Sequence, residues 1–168
     1  ALLNTILRND TFYFTQLGTF IERADNTARI LDVKYYVLLP QNELVGGGLD
    51  SAQWAAILRS VSGHRSFRWV YRNVFKPWHI ADFLILNPQM PRSLRSCYAE
   101  IVSSLDGLAR SYGTVSPCQA LAAETLDRLT GGDMPAIFQT GLHEYLLDFI
   151  AGNTRLASEI ATVYHFND

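Results

Sequence analysis

Residues 17–39, LGTFIERADNTARILDVKYYVLL, decide the fold class. Leu17, Ile21, Ala24, Ala28, Leu31, Tyr35 and Leu38 recur at alternating spacings of four and three. That rhythm is the apolar seam of a helix lying nearly parallel to its neighbours. The same stretch carries Glu22, Arg23, Asp25, Arg29 and Asp32. With about 100° of turn per residue, Glu22, Asn26 and Arg29 gather opposite Ala24, and Val33 and Tyr36 continue that face. Two arrangements satisfy this pattern. One is a solvated face, with Asp25 and Arg29 or Glu22 and Asn26 paired four residues apart, each pair worth about 0.3–0.5 kcal/mol. The other places a second layer over the face and makes Glu22 and Arg29 a buried pair, kept for specificity more than for stability.

Working outward, the rhythm stays helical almost everywhere. The first helix is expected from near Asp10–Thr11 to just before Pro40, followed by the flexible turn VGGGLDS. Asp50 and Gln53 form a capping box for a helix bearing Trp54, Ile57, Leu58 and Val61. Gly63 breaks that helix, and a third runs from about Ser62 to Phe75. Pro77 opens a short helix through Leu86, because a first-turn proline loses no needed N–H. NPQMPRS is a turn, and Pro91 starts a helix to about Tyr112. Ser116-Pro117-Cys118-Gln119 combines an N-cap, an N1 proline and a capping glutamine, for a helix ending at Gly131-Gly132. A last long helix, from about Pro135 to Tyr164, repeats the seam with Phe138, Leu142, Tyr145, Phe149, Leu156 and Val163. Strand signals are essentially absent, so the expected fold is all-α: one antiparallel multi-helix bundle with long first and last helices.

Composition narrows the function classes. The chain has 168 residues, 48% hydrophobic and 18% charged, enough for one substantial core. No apolar run reaches the roughly 20 residues of a membrane span, and the start ALLNTILRND has no secretory pattern. The chain also lacks an initiator Met, which suits a fragment or a processed piece. Cys97 and Cys118 are too few for a disulfide scaffold or a zinc site and read as buried, reduced thiols. A cytoplasmic location fits. With a net charge of −2, general nucleic-acid binding is not expected. Charge is nevertheless uneven, since residues 1–99 hold 11 basic and 7 acidic side chains and residues 100–168 hold 3 and 9.

Catalytic patterns are missing. No Glu is followed three residues later by His, as a di-metal bundle site requires. His143-Glu144 opens like a zinc-protease helix, but Leu147 stands where the second His belongs. Gly46-Gly47-Gly48 has no adjoining lysine for a phosphate loop, and no serine sits in a nucleophile elbow. No cofactor or metal is expected.

A basic stripe is the second feature. No acidic residue occurs from 51 to 81, whereas Arg65, Arg68, Arg72 and Lys76 follow at i, i+3, i+7 and i+11. Such a stripe either pairs with acids of the C-terminal helices or offers a contact for an anion or acidic partner.

LGTFIERADNTARILDVKYYVLL, WAAILRSVS and FLILNPQMPRSLRSC, in that order, resemble the bacterial alpha-E domain family, a helical family with a Glu-Arg motif. Gly18, Glu22, Arg23, Ala24, Asp25, Thr27 and Arg29-Ile30-Leu31-Asp32-Val33 match the later of two repeated motif helices in that family. The resemblance spans most of residues 10–110 and implies the C-terminal half of an internally duplicated protein. It further implies an accessory protein travelling with ATP-grasp peptide ligases or transglutaminase-like peptidases, in systems that make or attach peptides. The resulting expectation is a non-catalytic helical partner domain. Glu22, Arg23, Asp25 and Arg29 would form the family motif and shape the helix face. Arg65, Arg68, Arg72, Arg92 and Arg95 would offer an anion or partner contact. Partners would be the missing N-terminal half, a ligase or transglutaminase-like protein, or a second copy in a homodimer. The alternative is a small-anion-binding enzyme, with Glu22 as acid–base and Arg23 and Arg29 holding the anion.

Overall fold

A computed structural model describes the backbone of residues 2–38, 55–61, 63, 65, 67 and 77–164, and side chains within 10–33, 55–67 and 78–164. Its helices are α1 (Leu2–Leu38), α2 (Pro77–Ile85), α3 (Leu94–Tyr112), α4 (Pro117–Gly131), α5 (Met134–Thr140) and α6 (Leu142–Val163). Residues 55–60 are also helical, and no strand occurs among the described residues. The fold is an all-α helical bundle.

The expected seam of α1 is its buried stripe: Leu17, Ala24, Ala28 and Leu31 are all nearly inaccessible, joined by Thr27. The helix starts earlier than Asp10–Thr11, at Leu2. Residues 2–9 contain neither Pro nor Gly, so nothing in them interrupts the helical ladder. The expected caps at Asp50 and Gln53, together with Trp54, Arg68, Arg72 and Lys76, lie outside the described residues.

Cross-links set the helix directions. Ser111 donates to Asp10 near one end of α1, and Thr27 donates to the carbonyl of Arg92 towards the other, so α3 runs antiparallel to α1. Asn153 donates to the Ile21 carbonyl, while Asp32 meets His143, so α6 also opposes α1. The two partners of α1 therefore run parallel to each other, as the Tyr98–Phe149 and Tyr112–Tyr164 ring pairs show directly. Between them lies the core, with Tyr98, Ile101, Leu105, Leu146, Phe149 and Leu156 closing over the small residues of α1.

Two further boundaries differ from expectation. Helix α3 is capped by Ser93, whose hydroxyl accepts from the Ser96 N–H at 3.1 Å, rather than opened by Pro91. The Asn87 side chain accepts from the N–H groups of Gln89 and Met90, which winds the preceding residues into a tight turn instead. The last helix is also two. Asp133 caps α5, accepting from the Ala136 N–H at 2.8 Å, and Gly141 at φ 107° separates it from α6. That conformation is open to glycine, and a Cβ there would run into the Glu144 side chain. Helix α4 keeps its expected limits, with the N–H of Ser116 donating to the Gln119 amide oxygen at 3.0 Å.

Candidate functional site: a polar groove at the Glu-Arg pair

Because Ala24 faces the core, its neighbours Arg23 and Asp25 fall to opposite flanks of α1 and Glu22 to the outward face. Glu22, Asn26 and Arg29 are exposed, and Val33 is 57% accessible. The face opposite Ala24 is thus solvated, and Glu22 and Arg29 form no buried pair. Arg29 instead donates through Nε to Asp25 at 2.9 Å, and that hydrogen bond, with the attraction of the carboxylate, raises its pKa further.

Arg23 is half-buried, its guanidinium 5.2 Å from the centre of the Phe20 ring. This is a cation–π contact that holds the guanidinium without neutralising its charge. Across from it stands Arg92, also half-buried, carried by the turn before α3. Thr19, Glu22, Arg23, Asp25, Asn26 and Arg92 line a surface groove of about 470 Å³. The groove unites three of the four motif residues with one of the arginines assigned to partner contact. Arg29 touches it only through Asp25.

The turn bearing Arg92 is tightly held. Thr27, one helical turn beyond Arg23 and 1% exposed, donates to the Arg92 carbonyl at 2.8 Å. The Ser93 hydroxyl donates to the Asn87 carbonyl, and Ser96 donates to the carbonyl of Pro88 at 2.8 Å. Beneath the groove lies Cys97, whose thiol donates to the Pro91 carbonyl at 3.7 Å. Burial pushes its pKa up to about 12, while nearby Arg23 and Arg92 pull it down and Glu100 adds to the rise. A thiol so placed stays protonated and is no nucleophile. Cys118 is buried too, and both cysteines are free.

The remaining predicted contacts disperse. Arg95 is half-buried and reaches back to the Leu86 carbonyl at 3.5 Å, while Arg65 is exposed elsewhere. Arg68 and Arg72 lie outside the described residues. Among the described residues no three His, Cys, Asp or Glu side chains converge as a metal site would require. No described helix is long and apolar enough to cross a membrane.

Two polar links were not anticipated from the sequence. Asn153 is 2% exposed, accepting from the Tyr98 hydroxyl at 2.8 Å and donating to the Ile21 carbonyl at 3.0 Å. Its signal was present: it interrupts the apolar seam Leu146, Phe149, Leu156, Ile160 in register. The second link joins His143 Nδ1 to Asp32 Oδ1 at 2.6 Å, and no local pattern announces it, since the two residues are 111 positions apart.

Residues 1–165 match the family model of Alpha-E, described as a predicted alpha-helical domain with a conserved ER motif. The chain belongs to that family, and the match extends well beyond the residues that carry the resemblance in sequence. No curated protein and no solved structure gives a significant match.

Proposed function

We propose that this chain is a non-catalytic helical partner domain, serving an ATP-grasp peptide-ligase or transglutaminase-like system, with the Glu22-Arg23 groove as its contact site. The observation carrying this reading is that the Glu-Arg pair borders an open polar groove on a long helix clamped to its neighbours. Such a surface presents fixed charges to a partner and supplies no activated nucleophile. The small-anion enzyme has weaker support, because Arg29 is committed to Asp25 and lies outside the groove lining. A cytoplasmic location and origin as the C-terminal half of a duplicated bacterial protein belong to the same proposal. Exposed Phe12, Tyr112 and Val115, near the Asp10–Ser111 link, would give the missing half or a second copy an apolar contact.

The test is co-purification of the longer protein with a neighbouring ATP-grasp or transglutaminase-like protein, alongside Glu22→Gln and Arg92→Gln variants. Capture by the wild type and its loss in the variants is the expected result. Turnover of a small substrate by the isolated chain, abolished by Glu22→Gln, would establish the enzyme instead.

A further inference from the structure

We propose that the groove between α1 and the turn before α3 binds a free acidic amino acid: one carboxylate on Arg23, the second on Arg92, the ammonium group on Glu22. This goes beyond the partner-domain reading and stands or falls separately from it.

The charge inventory of the groove carries the argument. Arg29 and Asp25 neutralise each other at 2.9 Å. What remains is two guanidinium groups, Arg23 and Arg92, against the single carboxylate of Glu22. Among the described residues neither guanidinium has a carboxylate or carbonyl hydrogen-bond partner, and Arg23 lies over the Phe20 ring. A guanidinium fork left uncommitted in a half-buried wall is matched best by a planar carboxylate. Two forks ask for two carboxylates, and Glu22 beside them asks for a cation. Aspartate and glutamate carry that set of groups and bring the local charge to zero. A phosphate dianion offers nothing to Glu22 and meets it with like charge.

The walls are prepared for such a ligand. Thr27 fixes the Arg92 backbone from the same helix that carries Arg23, one turn away. Phe20 holds the Arg23 guanidinium over its ring. The Arg92 backbone and the Arg23 head are therefore held in place before a ligand arrives, which favours binding by a small molecule. At about 470 Å³ the groove falls within the usual range for small-molecule sites.

Isothermal titration of the 168-residue chain with L-glutamate, L-aspartate, L-glutamine and glutarate tests this. Saturable binding of a dicarboxylic amino acid is expected, with glutamine and glutarate each weaker by roughly tenfold or more. Arg92→Gln should lower glutamate affinity by at least about tenfold. Glu22→Gln should erase the preference for glutamate over glutarate, with glutamate affinity falling by at least about tenfold. Glu22 is exposed and Arg92 half-buried, and a thermal melt verifies that the variants fold. The proposal is overturned by equal affinities for glutamate, glutamine and glutarate, by unaltered binding in Arg92→Gln, or by no saturable heat up to about 10 mM.

Discussion

The hydroxyl of Thr27 donates to the carbonyl of Arg92 across 2.8 Å, joining the motif helix to a turn 65 residues further on. This bond holds the Arg92 backbone against α1, and Thr27 lies one turn beyond Arg23 on the same side of that helix. Thr27→Val keeps the shape and removes the donor, so it should cost about 1–2 kcal/mol by leaving a part-buried carbonyl unpaired. Thr27→Ser should recover most of that loss. Urea unfolding of both variants measures the difference, and equal stability of Thr27→Val and wild type would contradict the assignment.

Asn153 ties three helices together, through Tyr98 on α3 and Ile21 on α1. Asn153→Ala strands both partners and leaves a void, for an expected cost of roughly 2–4 kcal/mol. Tyr98→Phe removes one bond only and should cost about 1–2 kcal/mol. The double variant should lose less than the sum, because the residues share one interaction. Strict additivity would show that the link is not energetically coupled.

The pair His143 and Asp32 should make stability depend on pH. The hydrogen bond to Asp32 raises the His143 pKa, burial opposes it, and the charges of Asp32 and Glu144 add to the rise. A folded-state value above the unfolded one stabilises the protonated form. The contribution is therefore complete below the unfolded value of about 6.5 and fades as pH climbs through the folded value. Melting temperatures of His143→Gln and Asp32→Asn should fall below wild type at about pH 5.5 and approach it at about pH 9. A gap that widens with rising pH would reverse the sign and reject the account.

Cys97 should resist thiol reagents in the folded protein. It is 0% exposed and burial holds its pKa near 12, so thiolate is scarce and access is blocked. Labelling with an aromatic disulfide at about pH 8 should proceed only at the rate of unfolding and become rapid in denaturant. Rapid native-state modification assigned to Cys97 by mass spectrometry would contradict this placement.

The sequence by itself determined the helical class, the buried stripe Leu17, Ala24, Ala28 and Leu31, the limits of α4 and the alpha-E family. The first three rest on spacing or capping within a few residues, where periodicity and local hydrogen bonding act, and the family rests on the ordered motifs that resemble its members. It also marked Glu22, Arg23 and Asp25, because dense charge beside an apolar seam is visible in one dimension. Only the tertiary structure decided that Arg29 turns to Asp25 while Arg92 joins the groove, that Asn153 and His143 lock α6 onto α1, and that Gly141 divides the last helix from its neighbour. The three contacts depend on which chain segments meet, often more than 60 residues apart, and helical rhythm carries no record of its partners. The break at Gly141 depends on a single backbone angle, which an uninterrupted apolar seam conceals.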